Sequence, residues 1–465
     1  MSEEEDEDLE YISTSEHLDE KTKHLDLIIE RVVVLGKFLR DNMNIETEDE
    51  EINSSLEEPI KQYNKDLDEL ADYVLEDKRT SNKKKELIRA AIDYSTTKYA
   101  LRRRYRGELF FQHSLRVAKK INVIGGDLET VIVGLLHDII EENPRFRELK
   151  EKYKDRDKEI QILTQKASQE QEFSKETIAK ISTTNKELEK TIEEYYSFKG
   201  GSLTSIKNWT KNTSKELKIK TDAGSVTEMA NKLTKNFYDY YYYYQQKMFV
   251  SEKYGKKNIS KKELLRALRV FVAKGCDRQD NIETMERFEE NNQYSFTTQQ
   301  RLYAIYKNIT TINRMRNFLT DYDPQLRKHE LTRQRGVSYS LFNQLLNATL
   351  KETRKDRQHL EEKHVKKQTR EEYSTKAEGW IPTTIKTKQT RKTGEQLSDF
   401  DLVIQKYDKW LHYSKEGLSN NKEDFNQQYV DCLAFEKILE RFKKDQEYTL
   451  RGYKVMKDEY ENGNS

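Results

Sequence analysis

The stretch VGLLHDIIEE, residues 133–142, decides the reading of this chain. With Val131 and Ile132 before it, the run Val133, Leu135, Leu136, Ile139 and Ile140 is apolar nearly all round, so a helix over these residues is expected to be buried. His137 and Asp138 interrupt the run, and burying them is costly unless something pairs with them. Two pairings meet that cost. One is a hydrogen bond between the two side chains inside the core. The other is a divalent metal ion, for which imidazole and carboxylate are both ligands. Glu141 and Glu142 follow at i+4 from His137 and Asp138, on the same face of such a helix.

Working outward, two further polar residues interrupt apolar helical patterns. His113 lies in LFFQHSLRVAKKI (109–121), whose apolar face is Leu115, Ala118 and Ile121. Asp277 ends the apolar half of a helix expected over 264–288, with Asn281 at i+4 and Thr284 one turn beyond. Three such interruptions suggest one shared polar centre. Just before His113, the segment RRRYRGELFF (102–111) clusters Arg102, Arg103, Arg104 and Arg106, and Gly107 permits a tight turn. Arginines beside a metal site suit phosphate oxygens or a stacked base, although a solubilising loop has the same composition.

Composition narrows the class. The 465 residues are 36% charged and 34% hydrophobic with only four prolines, a balance that fits long exposed helices around a modest core. The 28 Tyr and 17 Phe supply the apolar surface that wholesale disorder lacks. Lys+Arg and Asp+Glu number 84 and 83, so global charge predicts no nucleic-acid partner. The basic stretch between Lys351 and Lys392 reads as a solvated face, with RNA or ribosome contact as the alternative. Cys276 and Cys432 form no CxxC pair, which suits a reducing compartment, and no apolar run nears a membrane span. A cytoplasmic location is expected, since the first 20 positions carry ten acidic residues and no Lys or Arg. P-loop, HExxH and GxSxG signatures are absent.

The periodicity predicts an all-α fold. Residues 1–83 read as an acidic tail and N-terminal helices over 24–40 and 60–74, with a polar link at 45–57 and a loop at 78–85. A compact domain is expected over 84–145 and 222–325. Between its parts, residues 146–221 carry heptad-like apolar spacing and read as a helical hairpin or short coiled coil, broken at Gly200-Gly201. This insertion could cover the site or mediate oligomer assembly. The run FYDYYYYY (237–244) is expected on an exposed to half-buried helical face, with aromatic base stacking as the minor alternative. Residues 326–465 are polar, with helical patterns at 337–365, 398–412 and 425–455.

These motifs resemble the HD-domain hydrolases, specifically the hydrolase domain of the RelA/SpoT family, which degrades the alarmone (p)ppGpp. The family patterns RxSGExYxxHPLxVA, ALLHDxxED and KLADRxxNxxTL correspond to RYRGELFFQHSLRVA (104–118), GLLHDIIEE (134–142) and KGCDRQDNIETM (274–285), and ANKLTKN (230–236) looks like the family's DGVTKL segment. The likeness covers about 84–145 and 225–320. It implies that His113, His137, Asp138 and Asp277 bind a metal, usually Mn²⁺, and that Glu141 and Glu142 position or activate the attacking water. It implies that Arg104 packs on the guanine base and that Arg106, Lys274, Asn281 and Thr284 lie toward the nucleotide. The implied activity is release of pyrophosphate from the 3′ position, without alarmone synthesis, since no synthetase domain is recognisable after residue 325. This chain departs from the pattern at Arg106, at Leu109-Phe110, at Ser114 and at Glu142, where the family has Ser, Pro-Tyr, Pro and Asp. Those changes leave open an HD phosphohydrolase of another nucleotide or phosphate ester, while the acidic tail, the coiled-coil-like insertion and the basic C-terminal stretch leave open a helical scaffold or regulator that keeps the site without turnover.

Overall fold

The computed structural model describes residues 20–43, 50–76, 81–99, 101, 103–104, 107–169, 174–237, 239, 244, 248, 259–285, 298–363, 388–389, 396–397, 428–429 and 431–444. The fold is all-α. The helices are α1 (Glu20–Met43), α2 (Glu50–Leu75), α3 (Asn82–Thr96), α4 (Phe110–Val123), α5 (Leu128–Leu136), α6 (Pro144–Gln169), α7 (Lys175–Glu216), α8 (Ala223–Leu233), α9 (Lys261–Glu283), α10 (Thr298–Lys328) and α11 (Thr332–Lys363), followed by helical residues 431–444. A two-residue antiparallel pair, Lys388–Gln389 with Gln396–Leu397, and an isolated bridge between Arg103 and Leu109 are the strand pairings among the described residues. No helix among them is long and apolar enough to cross a membrane.

The described helices group into two units, residues 1–239 with 265–273 and residues 240–264 with 274–465. In the first, α1 and α2 run antiparallel, tied by Arg31 to Asp66 at 2.7 Å and by His24 to Glu69 at 2.5 Å. Their apolar stripes, Leu25, Ile28, Ile29 and Val32 against Leu67, Leu70 and Val74, are buried. α3 and α4 pack on α2, and α5 packs on α3, α4 and α8. Every residue from Thr130 to Leu136 in α5 is buried, and each full burial of a Val, Leu or Ile contributes about 1.5–3 kcal/mol. α4 and α5 approach closely because position 134 is glycine: a Cβ there would lie 2.7 Å from Ile121 Cδ1 and 3.1 Å from Ala118 Cα.

α6 and α7 form an antiparallel hairpin, fixed by pairs of descending register: Arg145 with Glu194 at 3.0 Å, Arg156 with Glu187 at 2.6 Å and Lys180 with Glu159 at 3.2 Å. The expected break at Gly200-Gly201 does not occur, and α7 continues for 42 residues. Burial of Tyr195, Lys199 and Ile206 on either side of the pair outweighs a propensity cost of about 1 kcal/mol per glycine. Two expected loops are also partly helical. The 45–57 link becomes helix from Glu50, and α3 starts within 78–85 behind its N-cap Ser81.

In the second unit α10 and α11 pack through Leu302, Ile305, Ile309 and Ile312 with Leu341, Leu345 and Leu346, all buried. The fully buried Arg301 is matched by Asp356 and Glu352, each at 2.8 Å. Arg354 and Arg357, from the basic C-terminal stretch, pair with Glu436 at 2.8 and 2.7 Å, so this part of that face is neutralised within the chain. Residues 398–412 lie outside the described residues, as does most of the tyrosine run; of the latter, Phe237, Asp239 and Tyr244 are described and Tyr244 is buried.

Candidate metal centre and active site

α5 is short and its start is fixed. Asp127 caps it, its Oδ1 accepting from Thr130 N at 3.0 Å, and Arg269 of α9 binds the other Asp127 oxygen at 2.7 Å and also pairs with Glu129. The helix ends at Leu136, one residue before the His-Asp dipeptide, which sits in a turn rather than within the helix the sequence predicts. The cause is local. The His137 ring takes the Gly134 carbonyl through Nδ1 at 2.8 Å, and that carbonyl would otherwise continue the helical ladder. Helical pairing resumes only between Glu142 N and Asp138 O, at 2.8 Å.

That same contact orients the imidazole. With Nδ1 donating to a carbonyl, Nε2 carries the lone pair and faces the centre, the arrangement that metal-binding histidines adopt. His113 comes from the first turn of α4, and its ring meets His137 edge-on with centroids 5.3 Å apart. Asp277 rides on α9, which opens with a capping box between Ser260 and Glu263. Arg266 and Arg269 fasten this helix to Glu228 of α8 and to Asp127 and Glu129, and Asp277 lies two turns farther along it. His113, His137 and Asp277 each offer a ligand atom, all within 4.8 Å of one another, and the three side chains are only 2–4% exposed. Asp138 borders the group, its Oδ2 at 3.1 Å from His137 Nε2 and 3.8 Å from His113 Nε2, with the side chain 26% exposed.

Two imidazoles and a carboxylate, buried together, fit a divalent cation, since a mixed N/O set of this kind serves several first-row metals. The surroundings fix the carboxylate. Asn281 donates to both the carbonyl and the Oδ1 of Asp277, at 2.8 and 2.5 Å, while Lys274 and Arg278 reach its Oδ2 at 2.6 and 3.1 Å. Lys274 is thus engaged with Asp277, and its ammonium also lies 5.6 Å from the Tyr244 ring. Thr284, the C-cap of α9, turns its hydroxyl back to Asp280 O at 2.7 Å.

The two glutamates part company. Glu141 accepts from the backbone N–H of Lys235 at 2.6 Å, in the ANKLTKN segment after α8. Glu142 pairs with Arg147 of α6. The guanidinium groups of Arg147 and Arg104 both lie near the Phe110 ring, at 6.0 and 5.9 Å from its centroid. Arg104 also pairs with Glu108 at 3.6 Å, in a turn closed by Arg104 N to Glu108 O and by Gly107 at φ +81°. Arg106 lies outside the described residues.

Sequence reasoning passed over Tyr99 and Arg147. Tyr99 is buried and shares a 2.9 Å hydrogen bond with Ser114; burial, helped by the negative charges of Asp138 and Glu142, holds its phenol well above the usual range and therefore protonated. No sequence signal marks it, since it lies in a turn 14 residues before His113. Arg147 carried a signal, five residues after Glu142 at the start of a charged helix.

A family model for the HD domain matches residues 110–229. Over 72 residues the chain is 36% identical to the guanosine-3′,5′-bis(diphosphate) 3′-pyrophosphohydrolase of Aquifex aeolicus (strain VF5), a similarity that covers 15% of this chain and only a tenth of that protein. No solved structure gives a significant match. The match begins where α4 begins, contains both histidines and ends within α8, so residues 110–229 of this all-helical chain are similar to the HD domain.

Proposed function

We propose that the chain is a divalent-metal-dependent 3′-pyrophosphohydrolase of (p)ppGpp-type guanosine alarmones. The observation that carries it is the buried His113, His137 and Asp277 group with Asp138 at its border. A cation held there, Mn²⁺ by family resemblance, supplies Lewis acidity toward water and a phosphoryl oxygen. The protein's own groups supply the rest. Glu141, held by the Lys235 backbone N–H, accepts the proton of the attacking water. Glu142 holds Arg147 beside Phe110, and with Arg104 this makes two guanidinium groups around one aromatic ring. That arrangement suits a purine base or phosphate oxygens. Water oxygen bonds to the phosphorus next to the ribose, the bond to the 3′ oxygen breaks, and that oxygen takes up a proton, giving a 3′-hydroxyl and pyrophosphate.

The test is incubation of purified protein with Mn²⁺ and ppGpp, following GDP and pyrophosphate. Turnover that stops on chelation and falls about 10²–10⁴-fold in Glu141→Gln is expected. Turnover of another nucleotide but not of ppGpp favours the broader reading that Leu109, Phe110 and Ser114 keep open at the pocket. Wild-type protein that binds no metal overturns the enzymatic reading.

A further inference from the structure

Helix α7 belongs to no motif, yet it reaches the residue that handles water. Lys199 is buried, and its Nζ donates to Asn236 Oδ1 at 3.1 Å. The Tyr195 hydroxyl donates to the same oxygen at 2.8 Å, and the Asn236 amide donates to Asp239 Oδ2 at 2.8 Å. Asn236 is therefore gripped from both ends. The residue before it supplies the N–H that binds Glu141. The residue after it, Phe237, packs against Tyr195, Tyr153 and Phe146 of the hairpin, with centroids 4.6, 5.1 and 6.0 Å apart. Residues 235–237, with Asp239, thus form a short strap, fastened to α6 and α7 by its side chains and to Glu141 by its backbone.

We infer that Lys199 is a positioning residue of the hydrolytic site: with Tyr195 it fixes the strap that holds Glu141, and its ammonium compensates the Glu141 carboxylate. This rests on Glu141 being the proton acceptor. The hairpin is then a structural part of the site, and a lysine more than 50 residues from the His-Asp dipeptide sets the geometry of its base. The charges acting on Lys199 are Glu141 and Asp239, and the Tyr195 ring lies 5.9 Å from its Nζ. Burial pushes the lysine down to about 8, against which the two carboxylates work. The ammonium is present below that pH and lost above it, so kcat should decline as pH rises through about 8.

The test compares full-length wild type with Lys199→Met, Lys199→Arg and Asn236→Ala, using Mn²⁺ with ppGpp and, in parallel, bis(p-nitrophenyl) phosphate. Lys199→Met should lower kcat about tenfold with KM and bound metal unchanged, because a small displacement of the base costs rate rather than binding. Lys199→Arg should recover most of the rate and lose the descending limb near pH 8. Amide hydrogen exchange at Lys235, measured on metal-free protein, should speed up in Lys199→Met and Asn236→Ala, a readout that needs no turnover. Wild-type kcat in Lys199→Met, a change in KM alone, or undiminished Lys235 protection overturns the inference. A wild type inactive on both substrates overturns the proposed function instead, and the exchange measurement still decides the strap.

Discussion

Helices α4 and α5 and the hairpin α6–α7 are neighbours in sequence and opposite in construction. α5 is nine residues long and buried along nearly its whole length. α6 is 26 residues long, and Phe146, Leu149 and Ala167 are its buried positions. In an apolar helix a polar residue is expensive, so each one present signals a use. In a charged helix a polar residue costs nothing, so a useful one looks like any other. His113 and His137 stand out for the first reason, and Lys199 is hidden for the second.

Substitution can break this contrast or sharpen it. The largest effect belongs to a ligand in the apolar region. His137→Ala should abolish stoichiometric metal binding and lower turnover by about 10³-fold or more, equivalent to about 4 kcal/mol of barrier; metal analysis beside steady-state kinetics checks it. Retained metal in that variant would return the His-Asp pair to a plain core contact. Next comes one substitution made in both regions. Gly134→Ala should destabilise by about 1–3 kcal/mol in denaturant melts, because the new methyl meets the buried Ile121 side chain and the Ala118 backbone. It should weaken metal binding too, since α4 carries His113 and α5 runs straight into the turn that holds His137. Gly200→Ala, where a Cβ meets nothing within 4 Å, should stabilise by about 0.5–1 kcal/mol and leave metal affinity alone. If both alanines destabilise, the hairpin is packed more tightly at Gly200 than its open surroundings indicate.

The same contrast explains what the sequence disclosed. The all-α class and the core helices were legible because apolar periodicity is written by burial, which this fold enforces at α1, α2, α4, α5 and α9. His113, His137 and Asp277 were legible as interruptions of that pattern, and the structure brings their ligand atoms together. The end of α5 was not, because it turns on an imidazole capturing the Gly134 carbonyl, a choice of partner that no periodicity records. The continuity of α7 through two glycines was missed because tertiary burial of Tyr195, Lys199 and Ile206 overrode local propensity. The separation of Glu141 from Glu142 was missed as well. Adjacent and alike in sequence, they are claimed by a backbone amide on one side and by Arg147 on the other.

Asp26 of α1, far upstream of the HD match, accepts from Leu109 N at 3.2 Å, from Gln112 Nε2 at 2.8 Å and from Arg103 at 2.8 Å, while Glu30 takes the other arm of Arg103. One helix turn thus anchors the arginine turn and the first turn of the helix that presents His113. The smallest piece of this protein able to hold its own site is therefore set by hydrogen bonds rather than by similarity. A fragment cut at residue 110 would keep both histidines and lose the acceptor that sets the angle at which one of them enters the centre.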